Sequence, residues 1–387
     1  MKIAHLCLSN FFTSNRAYQE NQLVNENLKS GHDVLVIAST EEVQENGQLS
    51  YVKESDEITD SGYRLIRVPY VNFLFKRLTR KIRLYKGVYK ILDDFKPDVI
   101  MFHGMCAAEL LVVARYKRRN QHIKFFVDTH SDFINSAKSL FSKWLLHYCF
   151  YRTIVRIVVN DIDKVFYISP LTEIFARDFY GLEQSKLSFL PLGGHPVDTT
   201  LVEERRKRIR LQLNIPDDAV LFIQSGKQNK SKRLLDSLFV FDEIDSSNCY
   251  LVICGSIADE ISDEAMPIIN RNERIIFLGW TSPERLCEVL CAADIYLQPG
   301  SQSATMQMAL CCSCIPILER IYGHDFYTKD FGWLVSSRED LYETILDINA
   351  NQSLLEQMRS KVYRFSKLHL DYRILAESLV SNGESNV

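Results

Sequence analysis

No stretch of this sequence is both long and free enough of charge to cross a membrane. A span needs about 20 residues with few charges, and the apolar segment 133–159 is broken by Lys138, Lys143, Arg152 and Arg156. That segment reads instead as one or two buried or interfacial helices. The run Met1–Leu8 is too short and interrupted for a secretory leader and reads as a first strand, so a cytoplasmic protein is expected. Basic excess is missing as well: 46 Lys and Arg against 49 Asp and Glu leave a formal net charge of −3. Such a balance gives no global attraction to nucleic acid, and none is expected as a partner. The ten cysteines show no usual zinc spacing, and with no leader they indicate free thiols in a reducing compartment. Cys287 and Cys291 are spaced for one helix face, and Cys311, Cys312 and Cys314 fall where small buried residues are wanted. Packing is therefore their expected role, and no metal site is expected.

The 387 residues are 46% hydrophobic, enough to build two domains with cores of their own. The chain opens as a βαβ unit: strand, loop Ser9–Arg16, helix Ala17–Lys29 stopped by Gly31, then strand Asp33–Ile37. Residues 41–63 are polar and weakly patterned, a loop or short hairpin before a strand at Arg64–Pro69. From Phe73 to Leu92, Lys76, Arg77, Arg80, Lys81, Arg83, Lys86 and Lys90 alternate with apolar residues, which predicts one basic amphipathic helix. Its basic face is either simply solvated or set against anionic lipid headgroups, where each cation is worth roughly 1 kcal/mol. In the second case the protein sits peripherally at the inner face of the cell membrane.

Two strands end in histidine, one at His103-Gly104 and one at Asp128-Thr129-His130. Asp161-Ile162-Asp163 has the spacing of metal carboxylates but leads directly into the strand Lys164–Ile168, so it reads as a strand entry. Another strand covers Leu187–Pro191, Gly193 and Gly194 supply a hinge, and the charged run Glu203–Arg210 reads as a surface helix of the linker. No internal repeat is visible beyond the two α/β halves, and the tail from Ser381 reads as disordered.

The stretch Arg274–Leu318 carries the densest information. It reads strand, Gly279-Trp280, helix from Ser282-Pro283-Glu284, strand from Ile295, then Pro299-Gly300 and the small-residue loop Ser301-Gln302-Ser303-Ala304-Thr305 entering a helix. Amides at the end of a parallel strand and the start of a helix favour an anion, and a diphosphate is the usual occupant. Val220–Gln224 followed by Ser225-Gly226-Lys227-Gln228-Asn229-Lys230-Ser231-Lys232 is a glycine-containing strand end with cations, which either neutralise an anion there or form a solvated lysine run.

Phe277-Leu278-Gly279-Trp280, Ala292-Ala293-Asp294 and Pro316 at this spacing resemble the donor-binding half of GT-B glycosyltransferases, in particular family four (group 1). The phrases GHDVLVIAS (31–39), AYQEN (17–21), LGGHPVD (192–198) and FGWLV (331–335) extend the resemblance over nearly the whole chain. AYQEN and Asn135-Ser136-Ala137 look like a bacterial polysaccharide subgroup. The resemblance implies an α/β fold of two Rossmann-like domains facing across a cleft, 1–195 on the acceptor side and 196–365 on the nucleotide-sugar side. Residues 366–387 would be a helix crossing back to the first domain, followed by a tail.

The resemblance further implies a retaining, metal-independent hexosyltransferase with no cofactor, which moves a sugar from a nucleotide-diphosphate donor to a glycan or lipid-linked acceptor in surface polysaccharide synthesis. Lys227 and Lys232 keep the spacing of the family's Arg and Lys that grip the diphosphate, and His130 stands where a strand-end histidine reaches the donor sugar. Gly226, Gly279, Trp280 and the loop Ser301, Gln302, Ser303, Ala304, Thr305 fall at donor positions, while Tyr18, Gln19 and His103 fall on the acceptor side. The bland alternatives are helix capping for the first two and a structural role for the histidines. The sequence departs from the family at two glutamates, whose places hold Ser301 and Ala309, and in the first loop, which lacks a glycine pair. A relative that has lost catalysis and binds a glycan or a partner is the competing reading.

Overall fold

The computed structural model describes residues 1–14, 16–44, 48–72, 75–131, 142–244, 248–303 and 305–381. The chain forms two α/β units, Met1–Leu192 joined by Tyr372–Val387, and Gly193–Asp371. The sequence boundaries above were 195/196 and 365/366. The two α/β domains expected from the sequence are found, each built on a largely parallel sheet.

The first unit holds β1 (Lys2–Cys7), α1 (Gln19–Lys29), β2 (Asp33–Ser39), β3 (Glu41–Val43), β4 (Leu49–Tyr51), β5 (Ser55–Ile58), β6 (Arg64–Val68), α2 (Lys76–Ile82), α3 (Val88–Phe95), β7 (Val99–Phe102), α4 (Leu110–Arg119), β8 (Lys124–Thr129), a π-helical stretch Ser142–Tyr151 running into α5 (Arg152–Val158), β9 (Lys164–Tyr167), α6 (Pro170–Ile174) and β10 (Leu187–Phe189). Its sheet runs β10-β9-β8-β7-β1-β2-β6-β5 and is parallel except for β5, while β3 and β4 pair as a separate hairpin. Interior strands such as β1 and β2 are buried at every residue after the first, as expected when helices cover both faces of a parallel sheet.

The second unit holds α7 (Thr199–Gln212), β11 (Val220–Ser225), α8 (Leu234–Glu243), β12 (Cys249–Cys254), α9 (Asp259–Arg271), β13 (Ile275–Gly279), α10 (Pro283–Ala292), β14 (Ile295–Gln298), α11 (Met306–Cys311), β15 (Ile315–Glu319), β16 (Trp333–Val335), α12 (Arg338–Ala350) and α13 (Leu355–His369). The sheet is wholly parallel, in the order β13-β12-β11-β14-β15-β16. The chain then re-enters the first unit as α14 (Tyr372–Ser378), whose Tyr372, Leu375 and Ala376 join Ile3, Leu23, Phe126 and Phe166 in one apolar cluster. Among the described residues, no helix is long and apolar enough to cross a membrane.

Two expectations change. The basic helix is not continuous: Arg83 and Gly87 both take left-handed backbone angles, φ +54° and +80°, and separate α2 from α3. The intervening chain is drawn inward, where the Tyr85 amide donates to Glu109 and the Tyr85 hydroxyl to the Leu8 carbonyl. Arg83 donates to Ser9 and to the Cys106 carbonyl, and Arg80 pairs with Glu41 at 2.5 Å, so both cations are spent inside the unit. Phe73 and the side chains of Lys76 and Arg77 lie outside the described residues, as do Asn135-Ser136-Ala137 and the tail beyond Ser381.

The charged run Glu203–Arg210 is a surface helix on one face only: Glu203, Glu204, Lys207 and Arg208 are exposed, and the opposite face is not. It lies in α7, where Arg210 is fully buried and donates to Asp294 at 2.6 Å and to the carbonyls of Ala292, Pro216 and Ala219. Arg206 takes the other oxygen of Asp294 at 2.8 Å. The aspartate of the Ala-Ala-Asp motif therefore ties α7 to the start of β14, and it also accepts the Leu221 amide of β11. In the first unit Asp161 pairs with Arg118, and Asp163 accepts from the Phe125 amide and Lys117 at the edge of β8. Both carboxylates of the D-x-D are held by these local partners.

Candidate functional site

In the second unit the sheet changes winding direction between β11 and β14, the place where open α/β sheets bind ligands outside the strand ends. The loops leaving these strands, 226–232 and 299–305, lie against each other. The approach is closest at Gly300, where a Cβ would come within 2.3 Å of the Ser231 carbonyl oxygen and 2.8 Å of the Lys232 carbonyl carbon. Only glycine lets the two backbones meet in this way. The Ser301 amide donates to the Ser231 carbonyl at 2.8 Å, and the two serine hydroxyls are 2.9 Å apart.

Lys232 fastens the same junction. Its Nζ donates to the carbonyls of Ser301 at 2.8 Å and Gln302 at 2.5 Å, and partial burial lowers its pKa. Lys227, five residues earlier, is exposed. Gly226 sits at φ +112°, and a Cβ there would lie 3.0 Å from the Ser303 hydroxyl, so the turn after β11 also requires glycine.

Behind the loops runs a chain of hydroxyls that the sequence reading did not assemble. Thr305 Oγ1 lies 2.7 Å from Ser225 Oγ, 3.0 Å from Ser303 Oγ and 3.0 Å from the Tyr296 hydroxyl. The Tyr296 hydroxyl and the Ser303 amide both donate to Gln298 Oε1. Ser225, Tyr296 and Gln298 are buried strand residues whose β-propensity gives no hint of a polar task. The alternation that points them toward the loop became visible only with the sheet register.

The other donor-side positions are spread differently. Gly279 ends β13 at φ +66°, and the indole of Trp280 is 78% exposed. Ala304 lies outside the described residues. Ala309, at a family glutamate position, is fully buried in α11, and Gln307 on the same helix is buried as well. With only six residues, α11 has a short dipole, so an anion at this loop depends mainly on local amides, hydroxyls and the lysines.

In the first unit β1, β7 and β8 bring together a buried polar chain. Asp128 accepts His103 Nδ1–H at 2.6 Å and the Gly104 amide at 2.7 Å. The chain continues from His103 Nε2 to His5 Nδ1 at 3.1 Å and from His5 Nε2 to the Asn27 side-chain amide at 3.0 Å. His103, read as acceptor-side, is fully buried with both ring nitrogens engaged, so its task is to hold Asp128.

His130 stands at the outer end of this chain. Its Nε2 is 3.6 Å from Asp128 Oδ1, and 36% of its side chain is exposed. Burial disfavours the imidazolium, but the Asp128 carboxylate outweighs it and raises the His130 pKa above the ordinary value. For Asp128, burial pushes upward while His103 and His130 pull harder downward, so the carboxyl is held well below the usual range. Of the remaining acceptor-side residues, Tyr18 is half exposed at the start of α1, whereas Gln19 is buried and donates to the Pro191 carbonyl.

Residues 21–196 match the family described as Glycosyltransferase Family 4. The whole fold also has solved counterparts. The chain has the GT-B fold. It is 21% identical over 361 residues to alpha-galactosylglucosyldiacylglycerol synthase of Streptococcus pneumoniae, covering 89% of this chain and 90% of that protein. A glycosyltransferase from Rickettsia africae superposes with a TM-score of 0.67 at 13% identity, with 98% of this chain and 97% of that one covered. Anabaena Alr3699/HepE in complex with UDP gives 0.65 at 12% identity, over 98% and 99%. At these identities the solved structures speak for the fold. The GT-B likeness now covers both units, including the stretch around the missing glutamates.

Proposed function

We propose that this chain is a retaining glycosyltransferase that moves a hexose from a nucleoside diphosphate donor to a glycan or lipid-linked acceptor during surface polysaccharide synthesis. The observation that carries the reading is the junction of the two strand-end loops in the second unit, where Gly226, Gly300, Lys232 and the hydroxyls of Ser301, Ser303 and Thr305 converge. Lys227 and Lys232 are the candidate diphosphate grip. Two cations beside a departing diphosphate stabilise the charge that develops as the glycosidic bond breaks, which is the task a metal cofactor would otherwise perform. Gly279, Trp280 and Gln302 are the further donor-side candidates. His130, more basic than an ordinary histidine, is the first unit's candidate for contact with the transferred sugar, and Tyr18 its candidate on the acceptor side. These roles rest on the family resemblance and on the local chemistry described above.

A thermal-shift panel with UDP-, GDP-, ADP- and CMP-linked sugars tests the reading, because a ligand bound only by the folded state raises stability by about 2.7 kcal/mol at a hundredfold excess over its Kd. UDP donors are expected to give the largest shift, in line with the UDP bound by Anabaena Alr3699/HepE. A panel with no shift and no sugar release would favour the relative that has lost catalysis, a reading supported by the buried Ala309 and by Ser301 being paired with Ser231.

A lipid acceptor places the reaction at a membrane surface, and the Streptococcus relative is named for a glycolipid. On the α2–α3 segment Lys81, Lys86 and Lys90 are exposed. Co-sedimentation with anionic vesicles is expected at low salt, with release as salt rises, since surface attraction is screened within about 10 Å at 0.1 M. Binding that survives replacement of all three lysines by glutamine would remove this segment from the membrane reading.

A further inference from the structure

Spacing along the chain argued for packing at the cysteines, but the fold adds a third thiol that spacing does not reveal. Cys287 and Cys291 lie one turn apart on α10, and Cys312 follows the last residue of α11. Their three sulfurs lie within 4.8 Å of one another, and Cys287 Sγ and Cys312 Sγ are 3.7 Å apart. A tetrahedral ion with metal–sulfur bonds of about 2.3 Å holds its sulfurs about 3.8 Å apart, so the cluster has close to the dimensions of a filled thiolate site.

A second observation separates the cluster from ordinary packing. Arg205 of α7 brings Nη1 to 3.3 Å from Cys287 Sγ and 3.9 Å from Cys291 Sγ. A guanidinium is always charged, and a neutral thiol is a poor acceptor for it, whereas a thiolate is a good one. Cys291 and Cys312 are buried and Cys287 is half-buried, which leaves one side of the cluster open to solvent.

We propose that Cys287, Cys291 and Cys312 bind one zinc(II) ion per chain, with water in the fourth position and Arg205 donating to the thiolates from outside the ligand shell. Charge selects the ion: a divalent cation, three thiolates and one guanidinium sum to zero, whereas a monovalent ion leaves a net negative charge in a half-buried site. Binding exchanges the three thiol protons for the ion and releases them to solvent, so affinity falls as pH is lowered. The ion would pin α10 to the end of α11, and Arg205 adds α7 to the clamp. The proposal does not depend on the transferase reading.

The test is zinc titration of the full chain, reduced and freed of metal, against a chromogenic chelator. One equivalent is expected, and cobalt(II) in its place should give thiolate-to-cobalt charge-transfer absorption. Cys287→Ser, Cys291→Ser and Cys312→Ser should each abolish the stoichiometric site, while Cys149→Ser, at an exposed thiol, should leave it intact. Arg205→Gln should keep the stoichiometry and weaken affinity by about 10- to 100-fold, as loss of a partner outside the ligand shell does. A parent protein that binds no stoichiometric zinc and gives no thiolate–cobalt band overturns the proposal whether or not the serine variants fold. So does a Cys287→Ser variant that binds zinc as the parent does, or a Cys287–Cys312 disulfide whose reduced form has no affinity for the ion.

Discussion

Lys232→Ala is expected to lower kcat/KM for the donor by about 10- to 150-fold, the equivalent of a lost charge-assisted hydrogen bond worth about 1.5–3 kcal/mol. The structure gives this lysine two tasks that the experiment separates. Its Nζ spans the carbonyls of Ser301 and Gln302, which fixes one loop against the other, and the same ammonium is the candidate counter-charge for a diphosphate. If fixing the loops is its whole contribution, Lys232→Arg restores much of the activity, because a guanidinium also donates to carbonyls. If the compact charge acts on the departing group, kcat stays low in the arginine variant while KM recovers. Lys227→Ala is the companion measurement. Lys227 is exposed and lies outside the loop junction, so its removal should reduce turnover without changing the melting temperature. Near-normal turnover in both alanine variants would remove the diphosphate assignment.

Asp128→Ala is expected to cost about 3–5 kcal/mol of stability at neutral pH, the range found when one partner of a buried ionic pair is removed. The carboxylate is fully buried and satisfies His103 and the Gly104 amide, so its loss strands two donors. The pH dependence carries a sign. Because the folded-state pKa of Asp128 is depressed, its contribution is fully present above the unfolded aspartate value and is lost as pH falls through the folded one. The raised pKa of His130 acts in the opposite sense, adding stability that is fully present below the unfolded histidine value and lost as pH rises through the folded one. Parent-minus-variant stability from urea unfolding should therefore be greatest between those limits and decline on both the acid and alkaline sides. A flat difference across the range would mean that Asp128 is not ionised in the folded protein.

The fold was legible because its signals are local and repeated. Continuous apolar runs such as Val34–Ala38 and Leu221–Ile223, short and β-branched or aromatic, fit the interior strands of a parallel sheet, and the Gly, Pro and Ser punctuation around 279–283 and 299–301 marked the turns. The site was legible only where it rests on loops. Gly226, Lys232 and Ser301 stand out in a single line of sequence, but Tyr296 and Gln298 do not, since a polar atom on a buried strand declares itself only when the neighbouring strand is known. The errors have a shared cause. Arg83 and Arg210 look like solvated cations by periodicity, but Arg83 is half-buried and Arg210 fully buried because a partner far along the chain is there to receive each: the Cys106 carbonyl for Arg83, and Asp294 for Arg210. Gly87 was the overlooked signal in the basic segment, where a residue free to take positive φ interrupts an otherwise helical pattern.

The return of α14 to the first unit has a consequence for how the protein is made. The second unit, Gly193–Asp371, is one uninterrupted stretch and contains all it needs to close its core once it has left the ribosome. The first unit is begun earlier but is not complete until Tyr372, Leu375, Ala376 and Leu379 arrive to cover Ile3, Leu23, Phe126, Phe166 and Leu190. Birth order and completion order are thus reversed. During synthesis the older sheet waits with an apolar face open, and a chain that stops short of Tyr372 leaves that face open to chaperones and proteases for good.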